Sequence, residues 1–160
     1  MIRTVKITDA MAICGIYNHY VKHTVISFEE NPISMKEMKS RIVDISSVYP
    51  WLVLEEAGDL IGYAYVNKWK DRSAYEFSVE LSIYLKQGHE GKGLGACLLT
   101  QLLEAVKKTS IHAVIAGITL PNERSVALHE KLGFTKIAQF KEIGFKLNQW
   151  LDVGYWELLL

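Results

Sequence analysis

Residues 89–106, HEGKGLGACLLTQLLEAV, set Gly91, Gly93 and Gly95 at alternate positions directly ahead of a strongly helical stretch. A chain that turns through glycines into a helix presents successive backbone N–H groups at the positive end of the helix dipole. Such a concavity holds phosphate. Glycine suits the role because a Cβ would meet the incoming oxygens and because the turn can require positive φ. Just upstream, Glu80 sits in the middle of FSVELSIY, an otherwise apolar stretch. Burial there would raise the pKa of its carboxyl towards the range of a general base. The plainer reading is a residue on the polar side of an alternating strand.

Three readings of the glycines compete. A Walker loop needs Gly-Lys followed by Ser or Thr, to bring a hydroxyl to magnesium. Here Lys92 is followed by Gly93, which excludes it. The dinucleotide fingerprint is formally matched by Gly91, Gly93 and Ala96, but it asks for an acid at the end of the next strand. That strand ends GITLPN. The third reading is a pyrophosphate cradle built from the N–H groups of residues 91 to 95, beside the plain alternative that such glycines make only a tight turn.

The elements that must position these groups read as follows. IRTVKI is a short strand, and Thr8 and Asp9 are capping candidates for a helix with Ala12, Ile13, Ile16, Tyr17 and Tyr20 at helical spacing. SMKE, Ser34 to Glu37, is a capping box for a helix whose apolar face is Met35, Met38, Ile42 and Ile45. WLVLEEAGDLIGYAYV reads as a hairpin around Gly58-Asp59, and after the polar NKWKDRS comes a strand, AYEFSVELSIYL. The glycine loop and a helix with Leu98, Leu99, Leu102, Leu103 and Val106 follow. HAVIAGITL is a strand, NERSVALHEKLGF a helix stopped by Gly133, and two strands around TKIAQFKEIGF and DVGYWELLL close the chain. The order β-α-α-β-β-β-α-β-α-β-β predicts an α/β fold with a mixed sheet.

The chain has 160 residues, 49% of them hydrophobic and 22% charged, with 18 basic and 18 acidic side chains. It reads as one globular domain over residues 1–160, and the charge balance points away from nucleic-acid and membrane partners. The N-terminus, MIRTVKITDA, lacks an apolar signal region, and Cys14 and Cys97 have no metal or redox spacing, so they read as small buried hydrophobes. The expectation is a cytoplasmic protein without a metal.

A strand ending SVELSIYL, then HEGKGLGACLL, then a strand leading to LPNERSVALHEKLGF, resembles the GNAT superfamily of acetyl-CoA-dependent N-acetyltransferases. Its signature, Q/R-x-x-G-x-G/A, falls on Glu90, Gly91, Lys92, Gly93, Leu94 and Gly95, and Glu90 departs from it. An acid near a pyrophosphate is unfavourable unless it points away. The stretches IYNHYV, TVISFEENP, YPWLV, WKDRSAYEFSVELSIY and FKLNQWLDVGYW narrow the resemblance to the phosphinothricin acetyltransferase-like branch. That branch acetylates the α-amino group of analogues such as phosphinothricin and methionine sulfoximine or sulfone. The resemblance implies a mixed, mostly antiparallel sheet flanked by helices, with acetyl-CoA as cosubstrate in a region of splayed strands, and a homodimer.

It also implies roles. Glu80 matches the branch's catalytic carboxylate. His129 stands where many members have a tyrosine that protonates the departing thiolate; the plainer reading is a core histidine hydrogen-bonded on a helix face. Asn122 would touch the cofactor as well as cap its helix, with Ser125 a weaker candidate one turn on. The backbone of Leu81, Ile83 and Leu85 would meet the pantetheine arm and the thioester oxygen, while their side chains read as core. Arg72 could bind a substrate carboxylate or phosphinate bidentately, with Tyr75 lining the pocket and Phe28 an apolar wall. Lys68 and Lys70 fit a solvated loop better. Trp150 and Trp156 read as core, in a tail that could also serve a dimer. His19, His23, His89 and His112 take no role.

The expected activity is direct transfer from acetyl-CoA to a small amino acid or analogue. No cysteine is placed to carry the acyl group. Two alternatives remain: a different amine (a polyamine or a protein N-terminus), or a non-catalytic CoA-binding regulatory module in which Glu90 marks decay.

Overall fold

The computed structural model describes residues 1–160. Strand β1 (Ile2–Thr4) leads through a 3-10 turn into α1 (Ala10–His23), and α2 (Met35–Ser46) follows. The hairpin β2 (Trp51–Glu56) and β3 (Asp59–Lys68), then β4 (Ser78–Leu85), α3 (Leu94–Val106) and β5 (Ala113–Leu120) come next. The chain ends with α4 (Glu123–Lys131), β6 (Thr135–Lys146) and β7 (Gln149–Leu159). The element order is the expected one.

One seven-stranded sheet runs β1-β2-β3-β4-β5-β7-β6. Every pairing is antiparallel except β4 with β5, which are parallel and meet only over Ser78–Glu80 and Ala113–Ile115. Beyond Glu80 the two strands part: β4 goes on to Leu85 against β3, and β5 to Leu120 against β7. The split opens in the middle of the sheet, where the resemblance expected splayed strands.

Each face of the sheet has its own core. On one, Leu98, Leu99 and Leu102 of α3 are fully buried against Val66, Val79 and Val114. Truncating such a leucine to alanine costs about 2–5 kcal/mol. On the other face α1 and α2 bring Ile13, Val21, Met38 and Ile42 onto Trp51, Val53 and Tyr63. Period-two alternation along β4 divides its side chains between the two faces: Val79 and Leu81 belong to the α3 core, with Ile83 and Leu85 packed against it.

Local details differ from the sequence reading where short-range signals compete with tertiary contacts. The turn of the β2–β3 hairpin is Ala57-Gly58, both at positive φ (50° and 88°), one residue earlier than Gly58-Asp59. The first strand stops at Thr4, because the Asp9 carboxylate accepts from the Lys6 N–H and from Arg3 and so folds residues 7–9 into a 3-10 turn rather than capping α1. Residues 74–77 lie outside β4, since Ser73–Tyr75 form a second 3-10 turn, and β3 takes in Asn67 and Lys68. Cys97, Met35 and Trp150 are exposed rather than core, while Cys14 and Trp156 are buried. Ser34 caps α2 by accepting from the Glu37 N–H at 3.1 Å, but the Glu37 carboxylate pairs with Arg41. No helix is long and apolar enough to cross a membrane.

Candidate active site

Glu80 is the last residue of β4 to pair with β5, and its side chain points away from the α3 core. It lines a cavity of about 650 Å³ together with Tyr65 of β3, Ser82 and Tyr84 of β4, Gly117 and Thr119 of β5 and Tyr155 of β7. Tyr17 of α1 and the loop residues Ser27, Phe28 and Glu29 complete the wall. No hydrogen bond or ion pair holds the Glu80 carboxylate. Burial pushes its pKa above the ordinary carboxylate range, with the charge of Lys70 opposing. An unpaired, half-buried carboxyl of this kind is suited to taking a proton from a group bound beside it.

Glu29 is the second carboxylate in the cavity wall, and its environment has the opposite effect. Burial alone would raise its pKa, but Arg41 at 2.5 and 3.1 Å and the Tyr17 hydroxyl together bring it below the ordinary range. Two acids in one cavity are thus held apart in pKa. Burial, with the Glu80 charge added, raises the Tyr155 phenol.

The glycine loop lies at the N-terminus of α3. Gly91 and Gly93 have φ of 77° and 76°, the left-handed region that glycine enters without strain. A Cβ on either would meet nothing in the protein, so the space over the loop is open. Gly93 is the N-cap of α3, and no side chain caps the helix, which leaves its leading N–H groups free for an anion. Gly95 is needed for a different reason. It is buried, and a Cβ there would stand 3.3 Å from Leu128 of α4. The Glu90 carboxylate folds back to accept from the Gly88 N–H at 2.8 Å, so it is engaged by its own turn. These residues fit the pyrophosphate of a CoA thioester.

The remaining candidates are spread more widely. Asn122 caps α4 by accepting from the Ser125 N–H at 3.2 Å. Leu85 is the strand position whose carbonyl is already engaged, by the Tyr20 hydroxyl at 2.7 Å. His129 is buried on α4, on the α3 face of the sheet, and does not line the Glu80 cavity. Its Nδ1 donates to the Ser125 carbonyl at 2.7 Å, and its Nε2 is buried without a partner. Burial lowers its pKa, with the Ser125 carbonyl opposing, so the ring is held neutral.

Tyr75 lines a neighbouring cavity of about 530 Å³, which shares Ile143 and Tyr155 with the first. Arg72 lines neither cavity. Lys68 is paired with Asp71, and Lys70 lies over the Trp69 ring at 5.0 Å.

Several wall residues escaped the sequence reading. Tyr65, Tyr84, Gly117 and Tyr155 come from four strands and have no mutual spacing in the sequence. Tyr155 lies in the aromatic tail, whose pattern signals packing. A carboxylate doublet in the TVISFEENP stretch is the one signal that could have pointed to Glu29.

Residues 2–154 match the acetyltransferase (GNAT) domain. The chain is 38% identical over 156 residues to a phosphinothricin N-acetyltransferase of Streptomyces viridochromogenes, covering 98% of this chain and 85% of that protein. It is 36% identical to an L-methionine sulfoximine/L-methionine sulfone acetyltransferase of Salmonella typhimurium, covering 99% and 94%. Among solved structures, a GNAT superfamily phosphinothricin acetyltransferase from Sinorhizobium meliloti in complex with acetyl-CoA superposes with a TM-score of 0.96. The two are 38% identical, and the match covers 100% of this chain and 88% of that one. With a split sheet, an uncapped glycine cradle and a free carboxylate at the point of splitting, the chain belongs to the GNAT family and is an acetyl-CoA-dependent N-acetyltransferase.

Proposed function

We propose that the chain acetylates the amino group of a small amino acid or analogue of the phosphinothricin, methionine sulfoximine or methionine sulfone type, by direct transfer. The observation that carries this reading is the unpaired Glu80 carboxylate in the cavity wall, its pKa raised by burial. The relatives' names supply the substrate class. Acetyl-CoA supplies an activated acyl group. The cradle residues Gly91 to Gly95 would hold its pyrophosphate, and the backbone of Leu81 and Ile83 would align with its arm and polarise the carbonyl.

Glu80 takes a proton from the substrate ammonium, directly or through water, and leaves a nucleophilic amine. A base so placed typically contributes about 10²–10⁴-fold. Water returns a proton to the thiolate. A neutral His129 whose ring proton is held by the Ser125 carbonyl has none on Nε2 to give, so it would serve only as a relay that first takes up a proton there. Phe28 and Tyr155 form the walls, with Tyr75 in the neighbouring cavity. Arg72, which lines neither cavity but precedes the turn that carries Tyr75, would have to swing in to meet the substrate's anionic end. By the same resemblance the protein is read as a cytoplasmic homodimer. Exposed apolar side chains on β6, in the β6–β7 turn and at the start of β7, among them Ile143, Phe145, Leu147 and Trp150, would suit the contact, and sedimentation velocity tests it.

A second reading, a polyamine acceptor, is favoured by one observation: the Glu80 cavity is lined by two carboxylates and by no lysine or arginine. Free-thiol release from acetyl-CoA separates the two readings. The panel is methionine sulfone, methionine sulfoximine, phosphinothricin, the ordinary amino acids and spermidine. Turnover confined to amino acids or their analogues supports the main reading, and turnover with spermidine alone replaces it. Tight CoA binding with no turnover on any amine would point to a regulatory module.

A further inference from the structure

One wall of the Glu80 cavity is irregular chain, residues 24–34 between α1 and α2, which contributes Ser27, Phe28 and Glu29. A wall without a hydrogen-bond ladder needs other restraints to hold a substrate in one pose. Asn18 holds the far end of the segment at Ile33. At Ser27–Glu29 two more restraints come from the same side of the molecule: the Tyr17 hydroxyl meets Ser27 Oγ at 2.9 Å, and Arg41 clamps Glu29. One more comes from the far end of the sequence. Lys146, near the end of β6, donates from Nζ to the Ser27 carbonyl at 2.5 Å.

Lys146 is 3% exposed. Burying an ammonium group against a single carbonyl is unfavourable, and a methionine would fill much the same space without that cost. The local backbone is also unusual. The β6–β7 register breaks between Phe140 and Gly144, with Glu142 at a φ of 49°. The Asp152 carboxylate pins this bulge, accepting from the Glu142 N–H at 2.8 Å and from Gln139 Nε2 at 3.0 Å. Bulges re-aim the side chains that follow them. Beyond this one, Gly144 and Lys146 are buried while Ile143 and Phe145 face out. A Cβ built on Gly144 would clash with the Cε2–Cζ edge of the Phe28 ring. Bare glycine and buried ammonium therefore meet consecutive residues of the wall, Phe28 and Ser27.

We propose that Lys146, with Gly144 beside it, is a positioning residue for the acceptor site: it ties the Ser27 backbone to β6, so that Phe28 seats on Gly144 and forms a fixed wall facing the acceptor. This rests on reading the Glu80 cavity as the acceptor site. Neither residue touches the cofactor cradle, so the effect falls on one substrate only.

The test is steady-state kinetics of Lys146→Met, Lys146→Arg, Gly144→Ala and Phe28→Ala with the amine that the thiol-release panel identifies. Lys146→Met is expected to raise the acceptor KM about tenfold or more, with the KM for acetyl-CoA within about twofold of the parent. Lys146→Arg recovers most of that loss, and Gly144→Ala reproduces it by displacing Phe28. Chymotrypsin should cleave at Phe28 faster in Lys146→Met.

An acceptor KM within about twofold of the parent in Lys146→Met, when Phe28→Ala raises it, overturns the proposal and leaves the acceptor site intact. No change in acceptor KM in Phe28→Ala as well overturns the reading of the site itself. Both KM values rising together with a fall in melting temperature would show a general structural role and also overturn it. Should Lys146→Met fail to fold, Gly144→Ala decides: a selective rise in acceptor KM sustains the proposal, and an unchanged KM ends it.

Discussion

Glu80 and Gly117 face each other where β4 and β5 part: a Cβ on Gly117 would stand 3.3 Å from Glu80 Oε1 and 3.2 Å from the Tyr155 ring. The gap on β5 makes room for the carboxylate. Gly117→Ala would force Glu80 or Tyr155 to move by a few tenths of an ångström. Expected is a fall in kcat of about tenfold or more, since small displacements at a reacting centre are costly. The cradle is untouched, so the affinity for CoA by calorimetry should stay as in the parent.

Glu80→Gln removes the proposed base and keeps the shape. Turnover should fall by about 10²–10⁴-fold. In the parent, the raised carboxyl pKa moves the acid limb of the kcat/KM profile above the ordinary 4.5, with activity lost as pH falls through it. Stability has the opposite dependence. A folded pKa above the unfolded one means that the native state binds the extra proton, so stability declines as pH rises from 4.5 through the raised value. The glutamine variant should therefore melt at or above the parent's temperature at neutral pH. Full turnover in the variant would remove Glu80 from the mechanism.

What the sequence made legible was whatever depends on neighbours along the chain. The cradle is a run of backbone geometry, and Gly91 and Gly93 take the positive φ that their spacing suggested. Glu80 was visible because a carboxylate in an apolar strand is conspicuous. The split beside it was expected only from the family resemblance and not from any residue pattern, because it depends on where β4 stops pairing with β5, a tertiary fact. Tyr155 and Gly117 belong to the wall only through that topology. Trp150 and Cys97 were misplaced because an apolar side chain in a regular element is assigned to the core, although folded proteins expose many such groups. His129 was legible as a buried helix-face histidine, and its unpartnered Nε2 was not.

Glu90 departs from the family signature, and it offers a charge test of the cradle. Its carboxylate is held by the Gly88 N–H, a bond that a glutamine carbonyl can keep. Glu90→Gln should therefore preserve the turn and remove one negative charge near the pyrophosphate. An exposed charge pair is worth about 0.2–1 kcal/mol, so the KM for acetyl-CoA should fall roughly 1.4- to 5-fold. The gain should fade as salt is added. Gly93→Ala should act in reverse. A side chain at a φ of 76° is strained, and the KM for acetyl-CoA should rise about tenfold. A glutamine variant with a higher KM would mean that Glu90 contributes to the cradle.

Acid should destabilise the fold in two stages. His129 is held neutral by burial, its folded pKa below the ordinary 6.5. The unfolded chain therefore binds a proton that the native state refuses, and stability is lost as pH falls from 6.5 towards the lower folded value. Asp9 acts later. Hydrogen bonds from Arg3 at 2.8 and 2.9 Å hold its carboxyl below the ordinary 3.8, so its contribution is present above 3.8 and lost as pH falls through the folded value. Thermal melts across pH check both stages. His129→Gln should flatten the first decline and leave the second. Asp9→Asn should lower stability at neutral pH by on the order of 1–3 kcal/mol, by leaving the Arg3 guanidinium short of a partner. It should also weaken the second decline. A first decline that survives in His129→Gln would assign it to another group and free His129 to be charged in the native state.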